Sequence, residues 1–179
     1  QHPIGSLQAL VSKGEAVPLV APLRPDPVGP PPSNGGPQVF HAKDFLLESG
    51  VTLPELNIGY ETWGTPNQFR SNVILLCHGR SGNRLSHGIY VGPGKLFDTD
   101  RYFVVAMDAI GSGLSSSPAS SGLKMRFPHF TIRDSVRAHC LAATLGLGLG
   151  QLRCVAGPSM GSYAALEWAV NYPAILRSA

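Results

Sequence analysis

The sequence contains no uninterrupted apolar run of about 18 residues, which excludes a helix that crosses a bilayer. Charge is scarce: 14% of the 179 residues are charged, and no block of Lys and Arg stands behind the net charge of +3. Nucleic acid is therefore a poor partner for this chain. Three cysteines are too few to staple a disulfide miniprotein, and no Cys-x-x-Cys or His-x-x-His pair offers metal-ligand spacing. A phosphate-cradling Gly loop followed by Lys-Ser/Thr is missing as well. With 43% hydrophobic residues, the chain is nevertheless too apolar to stay disordered.

Proline and glycine are plentiful and unevenly placed. Half of the 16 prolines fall between Pro18 and Pro37, and Ser33-Asn34-Gly35-Gly36 lies within that stretch. Such a segment prefers extended polyproline conformations. Residues 1–38 therefore read as an arm or linker, a reading favoured over an SH3 or WW ligand. The first residue is Gln1 rather than Met, which leads us to expect removal of an upstream segment. From Val39 the texture becomes that of an α/β domain. Val39–Leu47 and Leu56–Trp63 read as half-buried strands joined by a turn at Glu48-Ser49-Gly50. Asn72–Cys77, Tyr102–Met107 and Leu152–Ala156 are short apolar runs that end in glycine-containing loops, the pattern of buried parallel strands. Thr131-Ile132-Arg133-Asp134 resembles a capping box. The helix it opens places Ile132, Val136, Cys140 and Ala143 on one buried stripe and stops at Gly146. A second helix, Tyr163–Tyr172, ends at Pro173.

Ligands gather at the carboxyl ends of parallel strands, so three strand ends carry the functional question. The run at Leu152–Ala156 leads into Gly157-Pro158-Ser159-Met160-Gly161 between strand and helix, where a nucleophile elbow belongs. Small residues two before and two after Ser159 fit the close approach of strand and helix. A helix N-terminus beside the hydroxyl favours a developing anion. His78-Gly79 follows the first run, and the backbone N–H groups of Arg80 and Met160 are the expected oxyanion donors. His78 reads as a hydrogen-bonding core residue rather than a base, and Asp108 as a structural turn acid rather than a catalytic one.

These residues resemble a known family. Leu46-Leu47-Glu48-Ser49-Gly50, Tyr60-Glu61-Thr62-Trp63-Gly64, Cys77-His78-Gly79 and Phe97 to Phe103 are similar to segments of homoserine O-acetyltransferases. Arg126-Phe127-Pro128, Thr131 to Asp134, Val136-Arg137-Ala138 and the serine motif follow in the family's order. The resemblance spans roughly residues 40–173 and implies an α/β-hydrolase fold performing ping-pong acyl transfer. Ser159 would attack an acyl donor such as acetyl-CoA, itself a substrate with no further cofactor, and pass the acyl group to a hydroxyl acceptor. Ser162 stands where these transferases carry a second Gly, Gly79-Arg80-Ser81-Gly82 departs from their loop, and Gly111–Lys124 is short. Those departures lean toward a hydrolase-like branch of the family.

Fold order places the triad acid and His after the nucleophile. Only Glu167 is acidic after Ser159, two helical turns on, and no His follows. The N-terminal part of the fold is thus expected here, at residues 39–179. A missing C-terminal half or a second polypeptide would supply the acid and base, and the chain alone would be inactive. An ester hydrolase is the alternative, with a noncatalytic binding module on the same scaffold as a further one. Cys77, Cys140 and Cys154 fit core positions as free thiols, so the compartment stays open between cytoplasm and export.

Overall fold

The computed structural model describes residues 33–179; the Pro-rich stretch before Ser33 lies outside the described residues. Five strands form one sheet in the order β1-β2-β4-β3-β5. They are β1 (Gln38–Leu46), β2 (Thr52–Trp63), β3 (Val73–Cys77), β4 (Phe103–Met107) and β5 (Cys154–Ala156). Helix α1 (Ile132–Leu141) precedes β5, and helix α2 (Met160–Asn171) follows it. β4, β3 and β5 run parallel, as expected from their apolar runs. β2 instead lies antiparallel to both β1 and β4. The expected half-buried β2 is accordingly enclosed along its second half, where Ile58 to Trp63 are all buried. β1 pairs with it as far as Tyr60, and β4 pairs with it from Tyr60 to Trp63.

Side-chain alternation builds the core. Val73, Leu75 and Cys77 of β3, with Phe103, Val105 and Met107 of β4, join the larger core, which includes Val136, Ala138, Ala164 and Trp168 of the helices. The intervening Ile74, Leu76, Val104 and Ala106 pack with Trp63 and Val91 in a second, smaller core. Both faces of β3 and β4 are thus dry, which is why these strands read as unbroken apolar runs rather than as alternation. Each such aliphatic side chain contributes about 1.5–3 kcal/mol by leaving water.

Local chemistry fixes the element ends. Thr131 caps α1 through the Asp134 N–H, and Asp134 accepts from the Thr131 N–H in return, as the sequence pattern indicated. The fully buried Asp134 also accepts from the Glu48 N–H (2.9 Å) in the β1–β2 turn and pairs with Arg137 (3.2 Å). That one carboxylate therefore ties a hairpin turn to a helix start. At the far end the helical residues do run out at Gly146, but not through a left-handed cap at that residue. The helix widens into a π turn over Ala142–Gly146, and the left-handed residue is Gly148 (φ 63°). Arg70 Nη1 donates to the Leu147 and Gly148 carbonyls just beyond that turn. Ile132 and Cys140 are half-buried, at the margin of the expected stripe rather than in its middle. The strand before the serine motif is shorter than expected, because Leu152 makes only an isolated bridge, to Leu176. Helix α2 begins three residues earlier than the Ala-rich pattern suggested, at Met160.

Replacing Asp134 by Ala strips partners from the Glu48 and Thr131 N–H groups and leaves Arg137 unpaired. It should cost about 2–4 kcal/mol in urea unfolding, against about 1 kcal/mol for Thr131→Ala, which removes the cap and an exposed hydroxyl bond to Glu48 Oε2 but leaves the buried carboxylate and its bond to the Glu48 N–H in place. Equal losses in the two variants would mean that the buried Asp134 bonds to the Glu48 N–H and Arg137 add nothing beyond what Thr131 contributes.

Candidate active site

Ser159 is the single residue between β5 and α2 that reverses the chain. Its backbone lies at φ 53°, ψ −121°, a conformation that costs a non-glycine residue about 1–3 kcal/mol. The turn is closed by the Gly161 N–H to Pro158 O (2.8 Å) and the Ser162 N–H to Ser159 O (2.9 Å). Ser162 adds a hydroxyl bond to the same Ser159 carbonyl (2.5 Å). The two glycines of the motif have a common cause. A Cβ on Gly157 would lie 2.1 Å from the Cys77 carbonyl oxygen, and one on Gly161 would lie 2.2 Å from the same atom. The end of β3 therefore fills the space that side chains at both positions would need. The Ser159 side chain is exposed, and its hydroxyl makes no hydrogen bond to any described residue.

The loop leaving β3 lies against this turn. A Cβ built on Gly79 would come 3.7 Å from Ser159 Cβ. The Gly82 N–H donates to Gly79 O (2.9 Å) and closes a tight turn over Gly79-Arg80-Ser81-Gly82. The N–H groups of Arg80 and Met160, one in this turn and one opening α2, make no hydrogen bond to any described residue. His78 is buried, and its Nε2 accepts from the Ala109 N–H (2.9 Å). Ser112 Oγ lies 2.9 Å from the same nitrogen. Its Nδ1 lies 2.7 Å from Gly79 O. With both nitrogens occupied, His78 is no free base.

A buried ion cluster anchors the same loop. Asp108 is fully buried and accepts from the Arg84 N–H (2.7 Å), Arg84 Nη1 (3.0 Å) and the Leu114 N–H (2.8 Å). Arg84 Nε lies 3.2 Å from Glu61 Oε2, and Glu61 Oε1 accepts from Ser33 Oγ (2.9 Å). The structural reading of Asp108 fits these bonds. Glu61 and Arg84 escaped the sequence reading, because 23 positions separate residues that meet only once β2 lies beside β4. A buried Glu in an apolar strand was the available signal. His139, also missed, donates through Nε2 to Asp108 O (3.1 Å).

Other nucleophiles and acids near the turn are committed elsewhere. Burial pushes the Cys77 thiol up to about 12, so it stays protonated. Glu167 pairs with Arg133 of α1 and accepts from Asn171, and the Arg133 bond holds its carboxyl below the ordinary range. A cavity of about 230 Å³ beside the start of α2 is lined by Ile110, Phe130, Ile132, His139, Met160 and Ala164, among others. Among the described residues no cluster of His, Cys, Asp and Glu has the makings of a metal site.

Two outcomes follow from this geometry. Gly161→Ala drives a Cβ into the Cys77 carbonyl, which cannot yield without moving β3. It should lower unfolding stability by about 2 kcal/mol or more, whereas Ser162→Ala should stay within about 1 kcal/mol. Burial pushes His139 down to about 4 from the 6.5 of a free imidazole, so the native state keeps it neutral. Between those values the unfolded chain binds a proton that the folded one does not, and stability falls as pH drops. Urea unfolding should lose about 2 kcal/mol from this group between pH 7 and pH 5, and His139→Gln should abolish that share of the loss. An unchanged pH slope in the variant would contradict it.

Residues 72–179 match the model of the alpha/beta hydrolase fold family. Homoserine O-acetyltransferase of Citrifermentans bemidjiense is 43% identical over 156 residues, 76% of this chain and 42% of that protein. Homoserine O-succinyltransferase of Magnetococcus marinus is 41% identical over 71% of this chain and 37% of its own length. Among solved structures, the acetyl esterase MekB superposes with a TM-score of 0.76 at 32% identity, over 80% of this chain and 43% of that one. The chain thus spans about two fifths of the length of the curated relatives it matches. The expected fold and resemblance hold: a strained serine between strand and helix, on a sheet ordered β1-β2-β4-β3-β5, belongs to a member of the alpha/beta hydrolase fold family.

Proposed function

We propose that this chain carries the nucleophile-bearing part of a serine acyltransferase that resembles homoserine O-acetyltransferases. The observation that carries the reading is the Ser159 hydroxyl on a left-handed backbone, beside two N–H groups, all three without a partner among the described residues. Ser159 Oγ attacks the acyl carbon of a donor such as acetyl-CoA, and its proton passes to a base. The carbonyl π electrons move onto oxygen, where the N–H groups of Met160 and Arg80 stabilise the anion. Collapse expels the thiol and leaves an ester on Ser159. An acceptor hydroxyl attacks that ester and regenerates the serine. The acid and base come from outside this chain, in a C-terminal part or a second polypeptide, and the chain alone is inactive. The exposed Tyr163, Leu166 and Val170 along α2 support such a completion.

An ester hydrolase, with water as acceptor, is the second reading. The likeness to an acetyl esterase and the departures at Gly79–Gly82 and Ser162 favour it.

Kinetics of the complete enzyme with a 4-nitrophenyl ester, and with acetyl-CoA plus homoserine, separate these readings. The transferase reading expects thiol release that depends on homoserine, and a drop in kcat of about 10⁴-fold or more in Ser159→Ala. Rapid ester hydrolysis without thiol release would sink it and favour the esterase. Full activity in Ser159→Ala would sink both.

A further inference from the structure

We propose that His78 is a positioning residue that sets the oxyanion donor of the loop after β3. The proposal rests on the reading of Ser159 and Arg80 given above. A backbone N–H can only donate, so the Ala109 N–H at 2.9 Å requires a lone pair on His78 Nε2. The ring proton is then on Nδ1, where it donates to the Gly79 carbonyl at 2.7 Å. That carbonyl shares one rigid plane with the Arg80 N–H, and the two groups point in opposite directions across it. Holding the carbonyl therefore aims the N–H.

The surroundings make this control specific. Gly79 O accepts from only one other described group, the Gly82 N–H at 2.9 Å, which closes the turn from its far end. Gly79 itself has no side chain to resist a flip of the peptide. His78, by contrast, cannot swing, because it is 2% exposed and pinned at its far nitrogen by the turn after β4. Ser112 Oγ lies 2.9 Å from that nitrogen and 3.2 Å from the Ala109 carbonyl, reinforcing the same anchor. The β4 turn is itself held by the Arg84 and Leu114 bonds to Asp108. A chain of bonds thus runs from the ion cluster through Ala109 and His78 to the peptide that precedes the Arg80 side chain. Donating into the carbonyl also polarises the amide and strengthens its N–H as a donor.

Two substitutions split the ring's two bonds. His78→Asn places an amide where Nδ1 was, retaining a donor for Gly79 O and abandoning the Ala109 N–H. His78→Gln reaches Nε2 instead, retaining an acceptor for Ala109 and abandoning Gly79. In the complete enzyme turning over 4-nitrophenyl acetate, His78→Gln should lower kcat by about tenfold or more with KM within about twofold. His78→Asn should stay within about fivefold of wild type. A merely structural His78 predicts the reverse order, since Asn leaves the buried Ala109 N–H bare. That order, or equal losses, would overturn the proposal. Labelling of wild-type Ser159 by a fluorophosphonate separates the two levels: an unlabelled serine overturns the underlying reading and this proposal with it. Should either variant fail to fold, ¹⁵N spectra of histidine-labelled wild-type protein decide, the Nδ1–H tautomer supporting the proposal and the Nε2–H tautomer overturning it.

Discussion

The Cys77 carbonyl is the point on which the site depends. It ends β3 and occupies the space of two missing side chains, at Gly157 and Gly161, on either side of Ser159. No residue larger than glycine fits at either position while β3 stays where its pairing with β4 and β5 puts it. The contact brings the strand that delivers the loop at Gly79 against the turn that delivers Ser159. Two segments 80 residues apart in sequence thereby share one small volume. The strained backbone of Ser159 persists because this packing over-determines it, with the cost met by the dry sheet beneath.

Around that contact the polar groups are organised by a second constraint, the fully buried carboxylate of Asp108. A charge taken out of water is costly unless paired and hydrogen-bonded. Arg84 supplies both a guanidinium and a backbone N–H, and Leu114 a further N–H. Glu61 balances the other side of the guanidinium. The result fixes the loops after β3 and β4 to each other, so that the mouth of the site is shaped by electrostatics and its floor by packing. His139, held neutral beneath the Asp108 carbonyl, belongs to that floor.

Much of this was legible in the sequence, for identifiable reasons. Strands β3 and β4 announced themselves because both of their faces are buried, and Thr131–Asp134 because a capping box is a local pattern. The serine motif could be read because it falls between an apolar run and an Ala-rich helix. What the sequence withheld depends on long-range pairing. The antiparallel placement of β2 beside β4 decides that Glu61 meets Arg84, and no local pattern encodes it. The π turn over Ala142–Gly146 and the left-handed residue at Gly148 are features that periodicity alone does not reveal. The reason for the two motif glycines was only half visible: strand and helix do come close, but the tightest contact is with a third element, the end of β3.

The central claim is that Ser159 becomes acylated, and it can be observed directly. The complete enzyme would be mixed with 4-nitrophenyl acetate, quenched in acid within the first turnover, digested and read by mass spectrometry. One acetyl group on the peptide that contains Ser159, absent from the Ser159→Ala protein, is the predicted result. Turnover with Ser159 unmodified at every quench time, or acetyl on another side chain, would contradict the account.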